Sequence, residues 1–126
     1  MDGNTTLQAQ HDGLLLDLDG TVWEGGRAIQ HAVEAINASG CKAIYITNNA
    51  SRAASRVAAM LQDIGLNAAE ADVLTSAQAA LGLAEDVLEP GDPVLVLGAQ
   101  PFKDLVRDAG YQVTDSADDA PKAVLH

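Results

Sequence analysis

The run Leu14-Leu15-Leu16-Asp17-Leu18-Asp19-Gly20-Thr21 constrains this chain more than any other stretch, because an apolar segment delivers two carboxylates and then meets a glycine. Turn signals bound it, Asp12-Gly13 before and Gly20 after. Three leucines between such signals predict a strand buried on both faces, as in a parallel sheet; periodicity alone leaves a short helical segment open. In sheets of that kind ligands bind beyond the carboxyl ends of the strands. Asp17 and Asp19 stand at that end, and positions i and i+2 of extended chain point the same way, so both carboxylates can converge on one small site. Two like charges so close repel unless a cation sits between them.

The rest of the chain alternates helical and strand patterns. Ala28 to Ser39 carries Ile29, Val33 and Ile36 at helical spacing, with Gly40 as the stop and His31 beside the stripe as a packing or surface residue. Lys42 to Thr47 reads as a second strand, and a helix between two such strands implies a right-handed crossover and parallel neighbours. A further helix places Val57, Leu61 and Ile64 inward and closes at Gly65. From Ala71, Val73-Leu74 lead to an N-cap at Thr75 or Ser76 and a long helix with Ala77, Ala80, Leu81, Ala84, Val87 and Leu88 on one face, broken by Pro90-Gly91. Pro93 to Gly98 is a third buried strand, and Pro101 to Ala109 a helix with Phe102, Leu105 and Val106 inward. Tyr111 to Thr114 and Ala123 to Leu125 read as strands separated by the acidic loop Asp115 to Asp119. This alternation defines an α/β chain with a Rossmann-like, mainly parallel sheet and flanking helices. Between the first strand and first helix, Val22 to Arg27 is either a flap that flexes over the site or an ordinary surface loop around Trp23.

Paired carboxylates at a strand end suit phosphoryl transfer through an aspartyl-phosphate. Asp17 is the candidate nucleophile, whose attack on phosphorus splits one hard displacement into two easier ones. Anion attacking anion needs screening, for which a hard divalent ion, Mg²⁺ before others, uses carboxylate, carbonyl and water ligands. Asp19 then protonates the leaving oxygen and later activates water, a role typically worth roughly 10²- to 10⁴-fold in rate. Gly20 permits the tight turn, and Thr21 can brace it.

A second informative stretch is Thr47-Asn48-Asn49-Ala50-Ser51-Arg52. A hydroxyl and amides at a strand's carboxyl end, immediately before a helix N-terminus, form an anion site from Thr47 Oγ1, backbone N–H groups and the helix dipole. Taken alone, Thr-Asn-Asn is only a helix cap; on the strand expected to lie beside that of Asp17 the anion-site reading is much stronger.

The stretch from Leu14 to Thr21 resembles the first motif of the haloacid dehalogenase (HAD) phosphatase superfamily, an apolar strand followed by Asp-x-Asp-Gly-Thr, and the strand ending in Thr47 resembles its second. The fuller Thr-Asn-Asn-Ala-Ser-Arg is similar to the capped branch containing phosphoglycolate, glycerol-3-phosphate, nitrophenyl phosphate and sugar-phosphate phosphatases. The resemblance implies an Mg²⁺-dependent hydrolase of small phosphorylated metabolites. Asp17 is its nucleophile and metal ligand, and Asp19 its acid/base with the backbone carbonyl on the metal. Thr47 and Asn48 hold the phosphoryl group, while Asn49 and Arg52 shape the mouth. It also implies that residues 1–72 are the first part of the core and 73–126 the start of an inserted cap, matched by pattern only. The family's third-motif lysine and fourth-motif acids come after the cap in that branch, so the chain is expected to be an N-terminal portion. Gly91-Asp92 follows Glu89-Pro90 rather than an apolar strand and is not the fourth motif.

Two other readings stand beside this one. Lys103, followed by Tyr111 to Thr114 and then Asp115 and Asp119, resembles the completed site of a small uncapped HAD phosphatase, although that strand alternates polar and apolar where a central strand is apolar throughout. The other reading is a non-catalytic metal- or phosphate-binding module whose exposed apolar edges favour homo-oligomers. Receiver-type signalling fits poorly, because the later apolar strand ends at Gly98-Ala99 rather than at an acceptor aspartate.

Composition narrows the field. A net charge of −11 argues against nucleic-acid and anionic-membrane partners, which require a basic footprint. No apolar run approaches the ~20 residues of a membrane helix. Met1 to Gln10 lacks a signal-peptide pattern, which makes the cytoplasm the expected location. Cys41 is the only cysteine, so it forms no intramolecular disulfide or cysteine-based zinc site. The position where a cysteine phosphatase loop carries its arginine is Thr47, and Cys41 reads as a small buried hydrophobe. Residues 1–13 are polar and expected to fray.

Overall fold

The computed structural model describes residues 6–126; the expected fraying of 1–13 falls partly outside the described residues. Gln8–Gln10 forms a short 3₁₀ turn, and the His11 ring nitrogen Nδ1 lies 2.7 Å from the Leu7 carbonyl oxygen. Contacts divide the chain into two compact units, one made of residues 1–47 and 54–74, the other of 48–53 and 75–126.

In the first unit, β1 (Gly13–Asp17) runs parallel to β4 (Lys42–Thr47) with Asp17 opposite Ile46. β5 (Val73–Thr75) joins on the far side of β4, giving the order β1-β4-β5. Helices α1 (Ala32–Ser39) and α2 (Ala54–Asp63) accompany this sheet. Leu18, Val22, Trp23, Tyr45, Val57, Leu61 and Val73 belong to its core, with Leu16, Val33, Ile36 and Ile64 packed against them. Few aromatics contribute, so Leu, Val, Ile and Ala supply most of the apolar burial.

The second unit is a parallel three-stranded sheet in the order β7-β6-β8, from β6 (Pro93–Val96), β7 (Gln112–Thr114) and β8 (Ala123–Leu125), with helices α3 (Ser76–Glu85) and α4 (Gln100–Asp108). Its core gathers Ala77, Leu81, Ala84, Leu88, Val94, Val96, Phe102 and Val106. Thr75 caps α3 with a reciprocal box. Its hydroxyl accepts from the Gln78 N–H at 3.2 Å, and its own N–H donates to Gln78 Oε1 at 2.8 Å.

Three expectations need correction. β1 is not buried on both faces: Leu14 and Leu16 are half-buried, but Leu15 is 74% exposed, because side chains alternate between faces and the core packs on the face that carries Leu16. The first helix begins at Ala32, not Ala28. Arg27–Ala28 is instead a strand, β3, pairing antiparallel with β2 (Trp23–Glu24). Gly25 and Gly26 both take positive φ (58° and 80°), as a primed two-residue hairpin turn requires. His31 precedes α1 in the left-handed region (φ 71°), exposed, and Gly40 (φ 66°) closes the helix as expected. Finally, α3 ends at Glu85, so Val87 lies in the following turn and is 78% exposed rather than inward. Cys41 is half-buried, its backbone N–H donating to Ser39 Oγ at 3.1 Å.

Candidate active site

The parallel register of β1 and β4 is what brings the sequence-predicted residues together. Because Asp17 pairs with Ile46, Thr47 is the next residue along the neighbouring strand, and both stand at the same carboxyl edge. Asp17 is exposed there, whereas Thr47 is 4% exposed on the core side of its strand. Leu18, fully buried between the two aspartates, anchors the segment that carries both carboxylates.

After Leu18 the chain winds into a compact turn. The Leu18 carbonyl accepts from the N–H groups of Thr21 (3.1 Å), Val22 (2.9 Å) and Trp23 (3.2 Å). Gly20, at φ 84°, takes the left-handed conformation this turn needs, and its N–H donates to the Trp23 carbonyl at 2.8 Å. Asp19 and Trp23 form an isolated bridge, and the indole Nε1–H of Trp23 donates to Asp19 Oδ1 at 3.0 Å. Sequence reasoning missed this contact. Its only signal is an aromatic donor four residues from the carboxylate, inside a tight turn.

Beyond Thr47 the loop braces itself. Asn49 Oδ1 accepts from both the backbone N–H of Ser51 (2.8 Å) and its hydroxyl, an Asx turn at the strand exit. The Asn48 carbonyl accepts from Ser76 Oγ at 3.0 Å, so the hydroxyl that opens α3 fixes Asn48's backbone. The loop 48–53 links Thr47 to α2, which begins at Ala54.

Asp17 and Asp19 offer hard oxygen donors. No group of three or more His, Cys, Asp or Glu side chains stands ready to hold a metal among the described residues. A site built from one carboxylate, a backbone carbonyl and water fits Mg²⁺, which keeps much of its hydration and takes its remaining ligands from substrate phosphate. Lys103, Asp115 and Asp119 are engaged elsewhere. Lys103 Nζ pairs with Asp115 Oδ1 at 2.9 Å, and the Thr114 hydroxyl donates to Asp119 Oδ2. The strand before them, β7, belongs to the sheet β7-β6-β8 and not to that of β1. The compact uncapped arrangement, which needs Asp115 and Asp119 beside Asp17 on one sheet, gains no support from this strand order.

One strand of a parallel pair thus ends in Asp-x-Asp-Gly-Thr and its neighbour ends in a threonine, within an α/β architecture. The family described as haloacid dehalogenase-like hydrolase matches residues 14–112, and the chain belongs to that family. Among curated relatives it is 38% identical over 120 residues to the D-glycerol 3-phosphate phosphatase of Mycobacterium tuberculosis, covering 95% of this chain and 34% of the relative. It is 30% identical over 109 residues to the acid sugar phosphatase of Staphylococcus aureus, covering 82% of this chain and 41% of that protein. The crystal structure of the M. tuberculosis glycerol phosphate phosphatase in complex with magnesium superposes with a TM-score of 0.88 over 95% of this chain and 36% of that one, at 38% identity. The chain thus spans about a third of the length of the first of these relatives. No helix among the described residues is long and apolar enough to cross a membrane.

Proposed function

We propose that this chain contributes the nucleophile, the acid/base and the phosphoryl-holding residues of an Mg²⁺-dependent phosphatase acting on small phosphomonoesters through an aspartyl-phosphate. The observation that carries the reading is the β1–β4 register, with Asp17 and Thr47 at one carboxyl edge. Magnesium bound at that edge supplies charge screening between the Asp17 carboxylate and the phosphate. Asp17 attacks phosphorus, and the ester bond breaks as Asp19 gives its proton to the leaving oxygen. Asp19 then takes a proton from water, which attacks the acyl phosphate and frees Asp17 and phosphate. Thr47 and Asn48 hold the phosphoryl oxygens, and Asn49 and Arg52 shape the mouth.

In this assignment residues 1–72 are the first part of the catalytic core and 73–126 the start of the inserted cap. Phosphatase names among relatives at 30–38% identity, and magnesium in the structure of one, support the reaction class and the metal. The experiment is phosphate release from p-nitrophenyl phosphate by the full-length protein, with and without Mg²⁺, beside Asp17→Asn. Turnover that needs Mg²⁺ and disappears in Asp17→Asn is the expected result. Turnover that survives chelation or the substitution refutes the reading.

A further inference from the structure

We propose that Trp23 is a positioning residue for Asp19: its indole N–H, held by a buried ring, fixes Asp19 Oδ1 and leaves Oδ2 as the oxygen that moves protons. This inference rests on the phosphatase reading above and extends it to a residue outside the motif. Trp23 is 4% exposed and belongs to the core cluster with Leu18, Val22 and Tyr45, so the ring is held on its apolar faces. The polar end of a buried indole requires an acceptor, and here that acceptor is Asp19 Oδ1 at 3.0 Å.

The backbone reinforces the contact. Trp23 bridges to Asp19, donates its own N–H to the Leu18 carbonyl at 3.2 Å, accepts from Gly20 N–H at 2.8 Å, and pairs with Ala28 across the hairpin. Donor and acceptor are therefore parts of one rigid turn, and Asp19, although exposed, is tethered through a single oxygen. Among the described residues Oδ2 receives no hydrogen bond. A carboxylate free to rotate would present either oxygen at varying angles; one clamped by an indole presents one oxygen in one orientation, which is the pre-organisation that proton transfer needs. A ring serving only as core filler needs no N–H, and phenylalanine would serve as well.

The test is a double-mutant cycle in the full-length protein, using Trp23→Phe, Asp19→Asn and the pair, with kcat and KM measured for p-nitrophenyl phosphate. Trp23→Phe should lower kcat roughly 10- to 100-fold while KM changes less than about threefold. In the Asp19→Asn background the same substitution should cost nothing further, because its effect passes through Asp19. A kcat unchanged by Trp23→Phe, or an equal loss in both backgrounds, overturns the inference and leaves the phosphatase reading intact. Absence of Mg²⁺- and Asp17-dependent turnover in the wild type overturns both. Should Trp23→Phe fail to fold, the contact is read from the other side, through the assigned indole N–H resonance of Trp23. Asp19→Ala should shift that resonance upfield and speed its exchange with solvent, and an unmoved resonance overturns the inference.

Discussion

Leu18 tests most sharply how the core holds the site, because it lies between the two aspartates with none of its side chain exposed. Leu18→Ala deletes the equivalent of three buried methylene groups, about 2.4 kcal/mol at ~0.8 kcal/mol each. The surrounding Val22, Trp23, Tyr45 and Leu61 can close over the gap only in part, and the residual cavity raises the cost to about 3–5 kcal/mol. Urea unfolding followed by the fluorescence of Trp23, in the same cluster, reads this loss directly. At a slope of about 1–2 kcal/mol per molar, the midpoint should fall by roughly 1.5–5 M with the slope unchanged. The contrast is Leu15→Ala on the same strand: Leu15 is 74% exposed, and its truncation should stay within about 0.5 kcal/mol. Equal losses at the two positions, or a Leu18→Ala cost below about 1 kcal/mol, would refute the alternation on which the placement of Asp17 and Asp19 depends.

Three further outcomes follow from local chemistry. Gly20 sits at φ 84° with open space around an added Cβ, so Gly20→Ala should cost about 1–2 kcal/mol from backbone strain alone, measured by chemical unfolding. Thr75→Ala removes one half of the capping box of α3 and should cost about 1 kcal/mol; Thr75→Ser, which keeps the acceptor, should recover most of it. Burial, reinforced by the Asp72 carboxylate, raises the Tyr45 phenol above its ordinary 10.0, so the folded protein keeps a proton that the unfolded chain has released. Its contribution is therefore fully present below pH 10 and is lost as pH rises through the raised native value. Stability measured against pH should fall less steeply above pH 10 in Tyr45→Phe than in wild type; matching slopes would contradict this.

The sequence carried the frame of the first unit because its signals are local and redundant. The β1 and β4 segments are apolar runs with turn residues at their ends, and Gly40 and Gly65 stop the helices at the left-handed positions expected of them. What escaped has physical causes. Strands of two residues, such as Trp23–Glu24 and Arg27–Ala28, are too short to show a period, so Arg27 reads as loop and Ala28 as the start of the helix carrying Ile29, Val33 and Ile36. The glycine pair that closes the hairpin was the available clue. Three consecutive leucines say that a strand is apolar, not which face the neighbouring elements cover, and Leu15 shows the difference. The Asp19–Trp23 and Asn48–Ser76 contacts depend on tertiary placement of one donor each, which no spacing rule encodes.

The central claim is that Asp17 becomes covalently phosphorylated, and acid-quenched turnover with a phosphoryl-labelled aryl phosphate tests it most directly. The account predicts Mg²⁺-dependent label on the peptide containing Asp17, released by mild alkali as an acyl phosphate is, and absent in Asp17→Asn. Label on another residue, label that persists in Asp17→Asn, or turnover without any labelled protein would contradict it.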